Sequence, residues 1–289
     1  MRDPHPVHRE VVANDLRHHV LEWDGGGRTT VLCLHGFLDL AWGFAPLGPS
    51  LAEAGYHVVA PDLRGHGDTD RVGAGGYYYF ADYLLDVADL VDALARERLA
   101  LVGHSMGGTV ALMYAGVFPG RPERVAAMES IHMRPREESP VRRALEWIEG
   151  VRKARARGPA VLPTIQACAE RIRRHDPRCP PDLALFLAER GTAPAPGGRA
   201  FKHDPLHLTR GPYPFRLDLW KAYFAAVACP VLLLDAAESQ VPPPPDLAER
   251  LAAFARPPRR AVVPGAGHMM IRHQPAEVAR LLLEFLEGR

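Results

Sequence analysis

The chain has 289 residues, 47% of them hydrophobic and 24% charged, with 35 basic against 34 acidic side chains and a net charge of +1. That size suits one hydrophobic core carrying an inserted subdomain. The even charge balance gives no electrostatic case for nucleic acid or an anionic membrane as the main partner. The four cysteines, Cys33, Cys168, Cys179 and Cys229, show no C-x-x-C spacing, which argues against a disulfide framework or a zinc site. Met1 to His8 is polar and has no apolar run of the secretory type. No window approaches the roughly 20 apolar residues of a spanning helix, so a cytoplasmic location is expected.

Val7 to Ala13 and Arg17 to Trp23 read as two strands joined at Asn14-Asp15, a hairpin signal. Thr30 to Leu34 is a mostly apolar run, as a strand covered on both faces would be, and it ends in His35-Gly36-Phe37. Phe44 to Ala54 is expected to be a helix. Tyr56 to Ala60 is the next buried strand, followed by Asp62-Leu63-Arg64-Gly65-His66-Gly67. Apolar residues at helical spacing run from Tyr78 to Leu94. Leu99 to Val102 is another short buried strand, and Thr109 to Phe118, closed by Pro119, reads as a helix. Val125 to Met128 is a further strand, leading into Glu129.

The alternation of buried strand and amphipathic helix breaks at about His132. From there to about Ala228 no strand pattern is clear, and the segment reads as a helical insertion with basic runs and a Pro/Gly-rich piece, Thr192 to Gly198. Leu145, Ile148 and Val151 fall at helical spacing and are expected to pack inward, leaving the arginines solvated. The alternation resumes with Pro230 to Leu234, a helix Pro245 to Phe254, a strand Ala261 to Val263 and a closing helix Pro275 to Leu286. The fold class is therefore α/β, a mainly parallel sheet with helices on both faces. Residues 1–131 and 229–289 form the core, and 132–228 a helical cap.

Between strand and helix lies Gly103-His104-Ser105-Met106-Gly107, a Gly-x-Ser-x-Gly pattern. A serine on so sharp a turn has a strained backbone and an exposed hydroxyl. Gly103 and Gly107 let strand and helix approach closely. An activated serine needs a base, an acid to orient that base, and donors for the oxyanion. His268, in the tight loop Pro264-Gly265-Ala266-Gly267-His268 after the last strand, is the candidate base; His273, near the closing helix, is a poorer one. The N–H groups of Met106 and Phe37 are the candidate oxyanion donors. For the acid, chain order allows Glu129 or the carboxylates after Leu234, Glu238 in particular. His35, His104, Trp147 and Trp220 are candidates to line a substrate pocket, as are other aromatics of the insertion, such as Phe186 and Tyr213. Among the 14 histidines no His-Glu-x-x-His occurs. Pro205 interrupts His203-x-x-x-His207, so no metal and no cofactor are expected.

These pieces resemble the α/β-hydrolase superfamily. The similarity rests on His35-Gly36-Phe37, Asp62 to Gly67, Gly103 to Gly108 and Gly265-Ala266-Gly267-His268, in that order along nearly the whole core. Leu34 to Asp39, Glu189-Arg190-Gly191-Thr192 and Pro264 to Met269 are most similar to the serine hydrolase-like proteins. The resemblance also bears on the acid. Many members carry Gly-x-x-Asp after the penultimate strand, where this chain has Ala236 and Ser239. Related branches place the carboxylate after the strand that follows the nucleophile helix, and Met128-Glu129-Ser130-Ile131 looks like that arrangement. The resemblance therefore favours Glu129 over Glu238, and Asp235 falls within the strand end. It implies a cofactor-independent serine hydrolase acting on a small or medium ester, thioester or lactone as small-molecule substrate. The alternatives are a carbon–carbon bond hydrolase, an acyltransferase with the same triad, or a non-catalytic ligand-binding homologue.

Overall fold

The computed structural model describes residues 5–134 and 139–289. In chain order the core begins with a hairpin of β1 (Val7–Ala13) and β2 (Leu16–Asp24). Asn14 and Asp15 both take positive φ, 48° and 57°, the backbone a two-residue hairpin turn requires and these side chains tolerate. β3 (Thr29–Leu34), a 3-10 turn (Ala41–Phe44) and α1 (Gly48–Glu53) follow. Then come β4 (His57–Pro61), α2 (Phe80–Leu94), β5 (Arg98–His104), α3 (Met106–Val117) and β6 (Arg124–Met128). The insertion holds α4 (Pro140–Arg157), β7 (Val161–Leu162), α5 (Ile165–His175), α6 (Pro181–Gly191), β8 (Thr192–Ala195), β9 (Gly198–Phe201), a 3-10 turn (Pro205–Leu208) and α7 (Leu217–Ala226). β10 (Val231–Ala236), α8 (Leu247–Ala252), β11 (Arg259–Val263), α9 (Met270–His273) and α10 (Pro275–Glu287) complete the chain. Among the described residues no helix is long and apolar enough to cross a membrane.

Eight strands form one sheet in the order β1-β2-β4-β3-β5-β6-β10-β11. From β4 to β11 every pairing is parallel, and the β1–β2 hairpin extends the β4 edge antiparallel. The two-residue period of a strand divides the apolar runs between two faces. Val31, Cys33, Val102 and Met128 pack with α1 and α10, and Leu32, Leu34, Leu101 and Val125 pack with α2 and α3. Each such buried aliphatic side chain contributes about 1.5–3 kcal/mol. Both faces are covered, which is why the strands read as continuous apolar runs.

Three expectations change. The helix expected over Phe44 to Ala54 is shorter, because Pro49 has no N–H to donate inside a helix; α1 starts at Gly48, with Pro49 in its first turn. The insertion is not purely helical: β7, β9 and β8 form a small antiparallel sheet, and the Pro/Gly-rich piece is its hairpin, turned by Gly197 and Gly198 at φ 85° and 153°. On α4, Val151 is buried but Leu145 and Ile148 are 54% and 40% exposed. The helix instead turns Trp147 and Val151, four residues apart, towards Tyr77, Tyr78 and Leu206.

The insertion is fastened to the core at several points. The Arg190 guanidinium lies 4.6 Å from the Trp42 ring centroid and 5.5 Å from that of Phe186. Asp176 accepts from His273 Nε2 at 2.7 Å and lies 3.5 Å from Arg272. The Tyr78 hydroxyl donates to Asp204 at 2.8 Å. Within 132–228, α7 packs against α3, and its Trp220 and Phe224 join the core cluster on that face.

Candidate active site

Ser105 follows the last residue of β5 and caps α3, at φ 51° and ψ −114°. An L-residue reaches positive φ only at a cost, so the surroundings must hold it there. They do so from below, where the Ser105 N–H donates to the Met128 carbonyl at the end of β6 (2.8 Å). The glycines around it are required by contact. A Cβ at Gly107 would stand 2.1 Å from the Leu34 carbonyl oxygen, and one at Gly103 2.4 Å from Gly108. Gly108 serves the same purpose towards Ser130, whose Oγ would lie 1.8 Å from an added Cβ. The start of α3 is thereby pressed onto the end of β3. The Met106 N–H, at the first helical position, has no partner within the helix. It shares this corner with the Phe37 loop, since a Cβ on Gly36 would touch both His104 and Ser105.

His268 Nδ1 lies 3.3 Å from Glu129 Oε2. The imidazole is partly exposed, and its ring centroid is 4.8 Å from that of His104, the residue directly before the serine. His104 is buried and donates Nε2–H to the His268 carbonyl at 2.8 Å, tying the histidine loop to the Ser105 turn. Burial, and secondarily the neighbouring His268, hold the His104 imidazole down to about 4, so it stays neutral in that role. His273 serves the loop from the other side: its Nδ1 accepts the Gly267 N–H (3.0 Å) while Nε2 donates to Asp176.

Glu129 is 4% exposed and also takes a positive φ, 50°. Its Oε1 accepts the Ala236 N–H (2.9 Å), and its Oε2 accepts the Ser239 hydroxyl as well as facing His268. Burial pushes this carboxyl up, but hydrogen bonds from His268, Ala236 and Ser239 outweigh it, and the net shift is below the usual range. Glu129 is therefore ionised at neutral pH. Glu238 joins the histidine loop through its backbone, its N–H donating to the Ala266 carbonyl (2.9 Å), but its carboxylate is exposed and paired with Arg178. Asp235 sits in β10 and pairs with Arg260 at 2.7 Å.

The residues read as pocket lining have varied surroundings. Both His35 nitrogens are engaged internally, Nδ1 donating to the Gly36 carbonyl (2.7 Å) and Nε2 accepting the Leu63 N–H (2.9 Å). His35 and His104 nevertheless border a small cavity with Asp39, Phe44, Met269 and Arg272. Trp147 packs edge-on to Tyr77, and Trp220 packs among Phe80, Phe215 and Phe224. His203 and His207 diverge, the first stacked on Phe201 and the second on His66 and Tyr78. Two contributors carried no local signal in the sequence. Ser239 lies where the resemblance leaves the usual aspartate missing, and His132 stands 3.9 Å from Glu129 Oε2.

Residues 29–271 match the family model described as the alpha/beta hydrolase fold. The chain belongs to that family. It is 28% identical over 211 residues to a serine hydrolase-like protein of Dictyostelium discoideum; the match covers 71% of this chain but only 58% of that relative's length. It is 27% identical to epoxide hydrolase A of Mycobacterium tuberculosis, over 98% of both chains. A solved structure of a hypothetical protein from Pseudomonas aeruginosa PAO1 superposes with a TM-score of 0.86, at 28% identity, over 98% of this chain and 99% of that one.

Proposed function

We propose that this member of the α/β hydrolase family is a serine hydrolase that cleaves a small or medium carboxylic ester, thioester or lactone through an acyl-enzyme. One observation carries the reading: a serine held at φ 51° at the head of α3, preceded by His104, whose ring is bonded to the loop of the His268–Glu129 pair. Ser105 Oγ attacks the substrate carbonyl carbon as His268 Nε2 takes its proton. The oxyanion forms at the N–H groups of Met106 and Phe37. Glu129 orients the imidazole through Nδ1 and stabilises its charged form. His268 then returns the proton to the leaving oxygen or sulfur, giving the acyl-enzyme. A water, deprotonated by His268, releases the acid and regenerates Ser105. Epoxide hydrolase chemistry, which the resemblance associates with an aspartate nucleophile, is disfavoured by serine at 105.

A fluorophosphonate probe tests this directly. The native protein should be labelled, and Ser105→Ala should abolish the label together with turnover of esters graded in acyl length. An unlabelled native protein would overturn the reading. Turnover of diketones in place of esters would reassign the reaction to carbon–carbon cleavage with the same residues.

A further inference from the structure

The Phe37 N–H belongs to a tight turn. The Asp39 N–H donates to the Gly36 carbonyl (3.2 Å) and closes a β-turn over residues 36–39. Gly36 stands against Ser105, since a Cβ on it would lie 3.4 Å from the Ser105 Cβ. Leu38, the third residue, takes φ 59°, a left-handed conformation that an L side chain keeps only where its surroundings hold it. Two histidines grip the turn. His35 Nδ1 donates to the Gly36 carbonyl (2.7 Å), and His66 Nε2 accepts the Leu38 N–H (3.3 Å). Among the described residues no other group accepts that N–H.

His66 is wholly buried, and its own place is set from the insertion. Its Nδ1 donates to the Arg64 carbonyl (3.0 Å), which leaves Nε2 as the acceptor. The His207 ring, from the 3-10 turn of the insertion, stacks on it with centroids 4.1 Å apart. His207 Nε2 donates to the same Arg64 carbonyl (3.3 Å). The approach is close because residue 65 is glycine: a Cβ there would stand 2.7 Å from His207 Nε2. One step earlier in the insertion, the Asp204 N–H donates to the Gly65 carbonyl (2.8 Å). The Phe37 ring lies edge-on to both histidines, its centroid 6.4 Å from that of His66 and 6.0 Å from that of His207. We propose that His66 is a positioning residue for the oxyanion donor: it holds the turn that presents the Phe37 N–H, and the insertion, through His207, holds His66. This rests on the hydrolase reading above, in which that N–H is one of two oxyanion donors. Such a donor acts only within about 2.7–3.1 Å of the developing charge. Without the bond from Leu38 to His66, the turn is free to leave its left-handed conformation and carry the Phe37 N–H off that position.

Two measurements test this, the first with p-nitrophenyl butyrate as the ester. His66→Phe keeps a ring against His35 and His207 but offers no acceptor. It should lower kcat about 10²-fold and leave KM within about twofold of native. His66→Gln, whose amide oxygen can take the Leu38 N–H, should recover kcat to within about fivefold. His207→Ala keeps the acceptor but removes the ring stacked on it, and should lower kcat about tenfold with KM again unmoved. A native kcat in His66→Phe or His207→Ala, or a Gln variant as slow as the Phe variant, overturns the proposal. The second measurement is hydrogen exchange of the Leu38 amide, followed by NMR. It should be at least about tenfold slower in the native protein than in His66→Phe, while the amides of β5 and β6 keep their protection. An unprotected Leu38 amide in the native protein overturns the proposal whether or not the variants fold. A native protein that neither turns over the ester nor takes a fluorophosphonate label counts against the hydrolase reading instead, and the exchange still reports whether His66 holds the turn.

Discussion

Lowering the pH from 7.5 to 5.5 should destabilise this protein before its carboxylates protonate. Burial holds His104, His203 and His207 at about 4, against an ordinary 6.5. His66 lies well below its ordinary value too, again chiefly through burial and then through His207. The hydrogen bonds agree with neutral rings: His66 Nε2 accepts the Leu38 N–H (3.3 Å), while His207 Nε2 donates to the Arg64 carbonyl (3.3 Å). An unfolded chain takes up each proton near pH 6.5, the folded chain only near 4. Between those values the unfolded state binds more protons, so stability falls as pH falls, and the loss is complete below about 4. The depressed carboxyls of Glu129 and Asp176 lose their contribution at lower pH still, with the same sign.

Each histidine shifted from 6.5 to 4 costs about 1.4 kcal/mol at pH 5.5 and about 3.4 kcal/mol in full. The three therefore remove roughly 4 kcal/mol by pH 5.5, a large share of the 5–15 kcal/mol that typically holds a domain folded. With a urea m-value of roughly 2–3 kcal/mol/M, the midpoint should fall by about 1–2 M. Urea titrations followed by circular dichroism at pH 7.5, 6.5 and 5.5 read this directly. His207→Phe keeps a ring between His66 and Tyr78 but cannot titrate, and it should reduce the loss at pH 5.5 by about 1.4 kcal/mol. A midpoint that moves by less than about 0.5 M would refute the reasoning.

Glu129→Gln should lower kcat about 10³–10⁴-fold with little change in KM, whereas Glu238→Gln should leave esterase kinetics near native; the reverse pattern would reassign the acid. Gly107→Ala must fit a Cβ that would stand 2.1 Å from the Leu34 oxygen, so it should cost about 3 kcal/mol or more in urea unfolding. Arg250→Met strands the Ile131 and Met133 carbonyls and Asp246, and thermal unfolding should register about 3–5 kcal/mol of lost stability.

Strands buried on both faces leave long apolar runs, so β3 to β6 and the alternating α/β order were legible in the sequence. Ser105 was legible because its elbow needs glycines at fixed spacing. The small sheet of the insertion was not. Its strands are two to four residues long, too short to show a period, and the hairpin residues Pro194, Gly197 and Gly198 read as a loop. Nor was the rotation of α4, whose buried face is set by where Tyr77 and Tyr78 stand rather than by its own spacing. The site divides along the same line. Ser105, Glu129 and His268 each stand just past a strand, so the strands' own apolar runs point to them. The groups packed around Glu129 do not share one stretch. The hydrogen bond that fixes the backbone beside His132 joins residues 119 apart in the chain, Arg250 and Ile131. A lone histidine three residues after a glutamate carries no message until that arginine and Asp235 are brought to it. The chemistry of such a site is thus written locally, and its supports only in the fold.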